Sequence, residues 1–412
     1  MSLIGRREFL ATSALAAGGA LLTSRVAFAR TEGTSRFILV ILRGALDGLS
    51  AVPPYGDPDY AHLRRDLALG APGAADGVLK LDSTFGLHPS LSFLYDSYNA
   101  RELVVFQAIA SPYRERSHFD GQDVLENGHT KPHAIQTGWL NRALSGLPSK
   151  TAAQSQERGI ALGQNVPLVM RGPASVASWS PSKLTALDDD TLQRIGDLYS
   201  RDPILSRRLA EALEADAIAM SANSDGSKML AQRDPKEAKK YARYDEIVDA
   251  AGSFLRSGEG PQVAVFDTTG WDTHANEGDA KGQLSTRLGG LDSSLRKLKA
   301  QLGPAWNDTV VLLVTEFGRT AAVNGTRGTD HGTGAAAFLV GGAVRGGRVV
   351  ADWPGLSQAA LYQGRDLKPT TDMRSVIKGV LADHLAVSTR VLESNVFPDS
   401  SNARAMRDLV RT

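Results

Sequence analysis

The stretch VVLLVTEFGRTAAVNGTRGTDHGTGAAAFLV, residues 310–340, decides the fold class. It opens on five consecutive apolar residues, Val310 to Val314, and closes on another apolar run, Ala337-Phe338-Leu339-Val340. A strand that is apolar at every position, and not at every second one, is covered on both faces, as in a parallel sheet between helices. Between the two runs stand Glu316, Arg319, Asp330 and His331 among glycines. Such a loop is either a solvated connection or part of a charged site at a strand's carboxyl end.

Working outward, the same kind of run recurs at Phe37 to Leu42, Leu103 to Phe106 and Val263 to Phe266. Helical patterns lie between them. Leu284, Leu288, Leu291, Leu295, Leu298 and Leu302 alternate steps of four and three, which lines them along one helical face. Ser90 to Tyr98 and Met373 to Leu385 predict two further helices. Strands alternating with helices predict a doubly wound α/β sheet. Residues from about 182 to 257 carry many Ala, Leu, Arg and Glu and few strand signals, which predicts a helical insertion, with a loop at Ser221 to Ser227.

The chain has 412 residues, a formal net charge of +1, 42% apolar and 6% aromatic residues, and no cysteine. This suits a globular domain and argues against a nucleic-acid footprint or a polybasic membrane surface. Thiolate chemistry and disulfides are excluded. The first residues read MSLIGRREFLATSALAAGGALLTSRVAFAR. Arg6-Arg7 followed by the apolar stretch Leu10 to Leu22 and by Ala27-Phe28-Ala29 has the order of a twin-arginine export signal. The stretch is too short to span a bilayer well, so residues 1–29 are expected to be removed, leaving residues 30–412 as one periplasmic or secreted domain with no permanent membrane span. The expected partners are the twin-arginine export machinery, which carries folded proteins, and a small-molecule or polymer ester substrate, without nucleic acid.

The loops that leave the strands carry the chemistry. After the first strand comes Arg43-Gly44-Ala45-Leu46-Asp47-Gly48, and after the second Arg114-Glu115-Arg116-Ser117-His118. After the third comes Gly270-Trp271-Asp272-Thr273-His274, and after the fourth the loop with Glu316, Arg319, Asp330 and His331. Ligands of parallel α/β sheets sit outside the carboxyl ends of the strands, so these loops are candidates to converge. Asp, Glu and His are ligands for divalent cations. Ser117 stands before a helical stretch, where a hydroxyl and a bound anion are both favoured. Arg114, Arg116 and Arg319 suit bidentate contacts to phosphate or sulfate. Each residue also has a plain structural reading. Asp47-Gly48 is a turn signal, Ser117 a helix cap, Asp330 an Asx-turn residue, and Glu316 a salt-bridge partner for Arg319.

Together these motifs, with Thr315-Glu316-Phe317-Gly318-Arg319-Thr320 and Thr329-Asp330-His331-Gly332-Thr333-Gly334, resemble an exported bacterial family of unknown function, domain-of-unknown-function family 1501. That family is similar to the alkaline phosphatase-like, sulfatase-like superfamily. The resemblance implies a three-layer α/β sandwich with a mostly parallel central sheet and a site with a divalent metal (Zn, Mn, Mg or Ca). It implies metal ligands at Asp47, Asp272, His274, Glu316, Asp330 and His331. It implies a catalytic set of Ser117 as nucleophile, with His118 beside it, and Arg319 on the ester oxygens. The sequence departs from the pattern where Glu316 and Phe317 replace an Asp-His pair and where Asp272 and His274 stand closer than usual. One metal, a hard oxygen-preferring metal, or none thus remain open. The expected function is metal-dependent hydrolysis of a phosphate or sulfate ester, with a non-catalytic binding or assembly protein of the same fold as the alternative.

Overall fold

The computed structural model of the protein describes residues 35–147, 158–181, 189–199, 202–230, 235–256 and 260–411. The expected export signal lies outside the described residues.

Nine strands form one sheet among the described residues: β1 (Arg36–Arg43), β2 (Leu103–Ala110), β3 (Gly159–Leu162), β4 (Val176–Trp179), β5 (Val263–Thr269), β6 (Thr309–Val314), β7 (Ala335–Val340), β8 (Arg348–Val350) and β9 (Thr371–Asp372). Their order is β8-β2-β7-β6-β1-β5-β3-β4, with β9 also beside β2. All neighbours run parallel except that β7 is antiparallel to both β2 and β6. The fold is therefore mixed α/β with a largely parallel central sheet. Its faces are covered by α1 (Ser92–Asn99), α2 (Trp139–Ser145), α3 (Pro235–Arg256), α4 (Gln283–Leu302) and α5 (Met373–Leu385). Central strands are apolar throughout because both faces are buried. Ile38, Val40 and Leu42 of β1 pack in one core with α1, α3 and α4. Phe37, Leu39 and Ile41 pack in another with α2 and α5.

The leucine ladder read from the sequence is the buried face of α4: Leu284, Leu288, Leu298 and Leu302 are fully buried and Leu291 and Leu295 nearly so. It meets Ile247, Val248, Ala251, Phe254 and Leu255 of α3 in the same core. Between β4 and β5 the chain is helical over Asp189–Tyr199, Pro203–Leu230 and Pro235–Arg256. The stretch 221–227, expected as a loop, continues the helix Pro203–Leu230. The helix formers around it carry the helix across Gly226, whose cost relative to alanine is only about 1 kcal/mol. No helix among the described residues is long and apolar enough to cross a membrane.

The topology fixes where the loops meet. Register pairs Arg43 with Thr269, Ile41 with Val314, and Ile109 with Ala335. The loops after β1, β2 and β5, and the one loop that leaves β6 and enters the reversed β7, thus lie together at one edge of the sheet.

Because β7 locks β2 to β6 through fully buried side chains, truncating Leu339 to alanine should cost roughly 2–5 kcal/mol through lost burial and an unfilled cavity. Urea unfolding should show a lower midpoint at unchanged slope. A stability within about 0.5 kcal/mol of the parent would mean that the interior re-packs there.

Candidate metal centre

At this edge Arg319 joins three loops. Its Nε donates to the carbonyl of Ala45 (2.8 Å), its Nη1 to that of Thr329 (3.0 Å), and its Nη2 to those of Gly44 (2.8 Å) and Trp271 (3.3 Å) and to Asp272 Oδ1. The approach is close enough to require a glycine. Gly44 has φ +117°, and a Cβ there would lie 2.7 Å from the Asp272 backbone nitrogen. Arg319 is 2% exposed, and its donors are turned to protein atoms. The donor fork expected on ester oxygens is here turned to four backbone carbonyls and one carboxylate. The other two arginines are likewise engaged. Arg114 donates to the carbonyls of Ser111 and Tyr113, and Arg116 to Asp366 (2.8 Å) and Gln363 (2.7 Å).

The loops so fixed bring three imidazoles and a carboxylate together. His118 Nδ1 lies 2.8 Å from Glu316 Oε1, His331 Nδ1 3.0 Å from the Arg116 carbonyl, and His274 Nδ1 3.3 Å from Asp330 Oδ1. With Nδ1–H donating to these acceptors, the atom turned inward on each ring is Nε2, the lone-pair nitrogen of that tautomer. The inward atoms converge. His274 Nε2 is 3.0 Å from His331 Nε2 and 3.1 Å from Asp272 Oδ1. His331 Nε2 is 3.4 Å from that oxygen, and His118 Nε2 is 3.5 Å from Asp272 Oδ2. His118, Asp272 and His331 each offer a ligand atom within 4.8 Å of the others. His118 Nε2 is buried and has no hydrogen-bond partner. Two lone pairs at 3.0 Å repel unless a proton or a cation lies between them. Donors about 2.0–2.1 Å from a tetrahedral zinc stand about 3.3–3.4 Å apart, and the separations of His331 and His118 from Asp272 match that spacing.

Electrostatics support the arrangement. Burial pushes His331 below the usual histidine value and keeps it neutral. The Glu316 hydrogen bond pushes His118 up, so a proton on its Nε2 competes with a cation. Burial alone would raise Asp272, but Arg319 outweighs it and holds the carboxyl ionised below its ordinary range. Phe317, at the position where the resemblance implies a histidine, stacks on His118 at 5.0 Å between centroids and packs on His331 at 5.2 Å. It is fully part of the floor, with Ala45, Tyr113 and Val124.

The remaining expected residues take other places. Asp47 is fully buried. Its Oδ1 accepts from the backbone of Leu49 (2.9 Å) and Ser50 (3.1 Å), capping the short helix Gly48–Ala51, and its Oδ2 pairs with Arg64 at 2.6 Å. With its oxygens so held Asp47, expected as a ligand, lies apart from the converging donors. Glu316 is buried and accepts from the Gly44 backbone (2.9 Å), Gln122 (3.2 Å) and Thr315 (3.0 Å) besides His118. Asp330 accepts from Asn324 (3.1 Å) besides His274. Both, expected as ligands, meet the imidazoles of His118 and His274 on the Nδ1 side. Ser117 is the N-cap residue of the helix His118–Asn127, yet its side chain makes no capping hydrogen bond. Sequence reasoning missed Arg64 and Glu277, which no motif marks. Glu277 accepts from Ser50 (2.8 Å), Thr273 (2.9 Å) and Thr329 (2.9 Å), beneath the loops that carry His274 and His331.

Two predictions test this foundation. Arg319→Lys leaves several buried carbonyls without donors and should lower stability by roughly 2–4 kcal/mol in urea unfolding; an unchanged midpoint would mean the three loops are held otherwise. Glu277 is pushed up from 4.5 to about 7 by burial and by neighbouring Asp47. A carboxyl that binds its proton more tightly when folded stabilises most below pH 4.5, and this contribution is lost as pH rises toward about 7. Asp47 acts oppositely. Arg64 overcomes the effect of its burial and holds it low, so its contribution is lost only as pH falls below the ordinary 3.8. Unfolding midpoints measured between these limits should therefore flatten in Glu277→Gln. A variant profile parallel to the parent's would rule out the buried proton.

No curated protein matches the chain. Among solved structures, one described as the crystal structure of Ps i-CgsB in complex with k-i-k-neocarrahexaose aligns over 90% of this chain and 77% of that one, at 9% identity and a TM-score of 0.37. The sequence profile of DUF1501, described as a protein of unknown function, matches residues 34–396, and the chain belongs to that family.

Proposed function

We propose that the protein is a metal-dependent hydrolase of phosphate or sulfate esters, with one cation held by His118, Asp272, His274 and His331. The observation that carries this reading is the inward convergence of three Nε2 atoms on Asp272 while every Nδ1 is bonded outward. Three imidazoles and one carboxylate suit Zn better than Mg or Ca, which prefer all-oxygen sets. When bound, such a cation polarises an ester oxygen and lowers the pKa of a neighbouring hydroxyl.

The chain's own residues supply the rest. Ser117, one residue before His118, has a hydroxyl without a capping partner and is the nucleophile in this reading. The first-turn amides of the helix His118–Asn127 face the same end and favour developing negative charge. Glu316 and the Arg116 carbonyl fix the tautomers and ring planes of His118 and His331. A groove of about 560 Å³ lies alongside, lined among others by Gln122, His133, Gln136, Asn165 and the 87%-exposed ring of Phe119. It offers space for the alcohol part of an ester. The twin-arginine pattern at Arg6-Arg7 supports a periplasmic or secreted location, and the fold is compatible with the alkaline phosphatase-like sandwich that the motifs resemble.

A second reading, a metal-binding protein without hydrolase activity, is favoured by one fact. The guanidinium groups of Arg114, Arg116 and Arg319, the expected oxyanion clamps, are all engaged by protein atoms.

Protein loaded with Zn and freed of excess should contain about one equivalent per chain by elemental analysis. His331→Ala should weaken binding by more than about 100-fold, and Glu316→Gln by roughly 10–100-fold. Affinity should fall as pH drops, and the fall should begin above the ordinary histidine value of 6.5, because His118 is raised and takes up its proton early. Ser117→Ala should keep the metal and lose ester cleavage. Retained cleavage removes Ser117 as nucleophile, and stoichiometric metal with no cleavage over a panel of phosphate and sulfate esters selects the second reading.

A further inference from the structure

The candidate metal centre lies at the carboxyl edge of the sheet, and a second charged feature lies at the amino edge. Four arginines, Arg101, Arg345, Arg348 and Arg411, line one cavity of about 670 Å³ together with Gly346 and Gly347, and no carboxylate is among its lining residues. Over the whole chain 46 basic residues nearly balance 45 acidic ones, so this concentration is local and not a reflection of net charge.

The backbone builds the cluster. Arg101, at φ +59°, precedes β2, and Arg348 opens β8 opposite Val104. The turn before β8 comes against Arg101, where Gly346 donates its N–H to the Arg101 carbonyl at 3.0 Å. A Cβ at Gly346 would sit 2.4 Å from backbone atoms of Leu103, so no side chain is tolerated at that approach. The last residues of the chain are tied to the same turn: the Arg345 N–H donates to the Leu409 carbonyl at 2.9 Å, and the Arg411 N–H to the Ala343 carbonyl at 2.7 Å.

Bonds to backbone carbonyls orient two of the guanidinium groups and leave their charge uncompensated. Arg348 donates to the carbonyls of Arg345 and Asp408, and Arg411 to that of Arg101. Arg345 pairs with Asp408 at 2.8 Å, but both side chains are well exposed, and such a pair is weak. Arg101 forms no ion pair among the described residues. Like charges gathered in one concavity repel, and the repulsion is relieved by a counter-charge of matching size. Guanidinium forks match tetrahedral oxyanions bidentately.

We infer that this cavity is a binding site for an oxyanion bearing at least two negative charges, phosphate-borne or sulfate-borne. It is separate from the metal centre, because the eight-residue strand β2 places the two edges roughly 25 Å apart. The site therefore holds or senses an anion without taking part in chemistry at the other edge, and it stands independently of the hydrolase reading.

The test is calorimetric titration of the full chain with inorganic pyrophosphate and with inorganic sulfate, at an ionic strength held constant with chloride. At least one should bind with a Kd below about 1 mM. Pyrophosphate alone binding identifies a phosphate-type site, and comparable sulfate binding a site for either oxyanion. Arg101→Gln, a surface change that breaks no ion pair, should weaken binding roughly tenfold, and Arg101→Lys should restore part of it. His331→Ala should bind as the parent does. Absence of binding to both anions, an Arg101→Gln titration equal to the parent's, or loss of binding in His331→Ala would overturn the assignment, the last by moving the anion to the metal centre.

Discussion

The site depends on one buried guanidinium. Arg319 gathers Gly44 and Ala45 from the loop after β1, Trp271 and Asp272 from the loop after β5, and Thr329 from the loop entering β7. Loop backbone at a sheet edge has few partners of its own, and a planar five-donor group can satisfy several carbonyls at fixed angles. The same group also pins Asp272, the one carboxylate among the converging donors. The imidazoles gain their geometry from this clamp: His274 follows Asp272 by two residues, and His331 follows Thr329 by two.

A second, deeper layer supports the clamp. Asp47, Arg64 and Glu277 form a fully buried charge cluster, with Arg64 Nη2 2.6 Å from Asp47 and 3.6 Å from Glu277. Two carboxylates with one guanidinium would leave an uncompensated charge in the interior, which burial resists, and Glu277 therefore holds its proton to about pH 7. Thr329 bridges both carboxylates, at 3.1 Å to Asp47 and 2.9 Å to Glu277. The cluster ties the loop after β1 to those that carry His274 and His331. Hydrogen bonds offset part of its desolvation cost: Asp47 accepts from Leu49, Ser50, Arg64 and Thr329, while Arg64 Nε is left without a partner.

Much of this was legible in the sequence, and the limits have physical causes. The five long apolar runs became strands because apolarity at every position has one common meaning in a covered sheet. The Leu284 to Leu302 ladder became a buried helix face for a similarly local reason. The short strands at Gly159–Leu162 and Val176–Trp179 went unread, since four residues carry too little pattern. That polar loops would gather at one edge followed from parallel topology. Which of their acids face inward did not follow, because that depends on partners remote in the chain. Asp47 faces Arg64, and Glu316 faces His118, 198 residues away. His118 is expected in the catalytic set beside Ser117 and not as a ligand, yet its ring is one of the three that converge.

The most direct measurement is crystallographic: diffraction from crystals soaked in Zn, collected on either side of the Zn absorption edge. A single anomalous peak enclosed by the Nε2 atoms of His118, His274 and His331 and the carboxylate of Asp272 is the expected result. An empty map at that position under saturating Zn, or a peak held by other side chains, would contradict the assignment of a cation to these four residues.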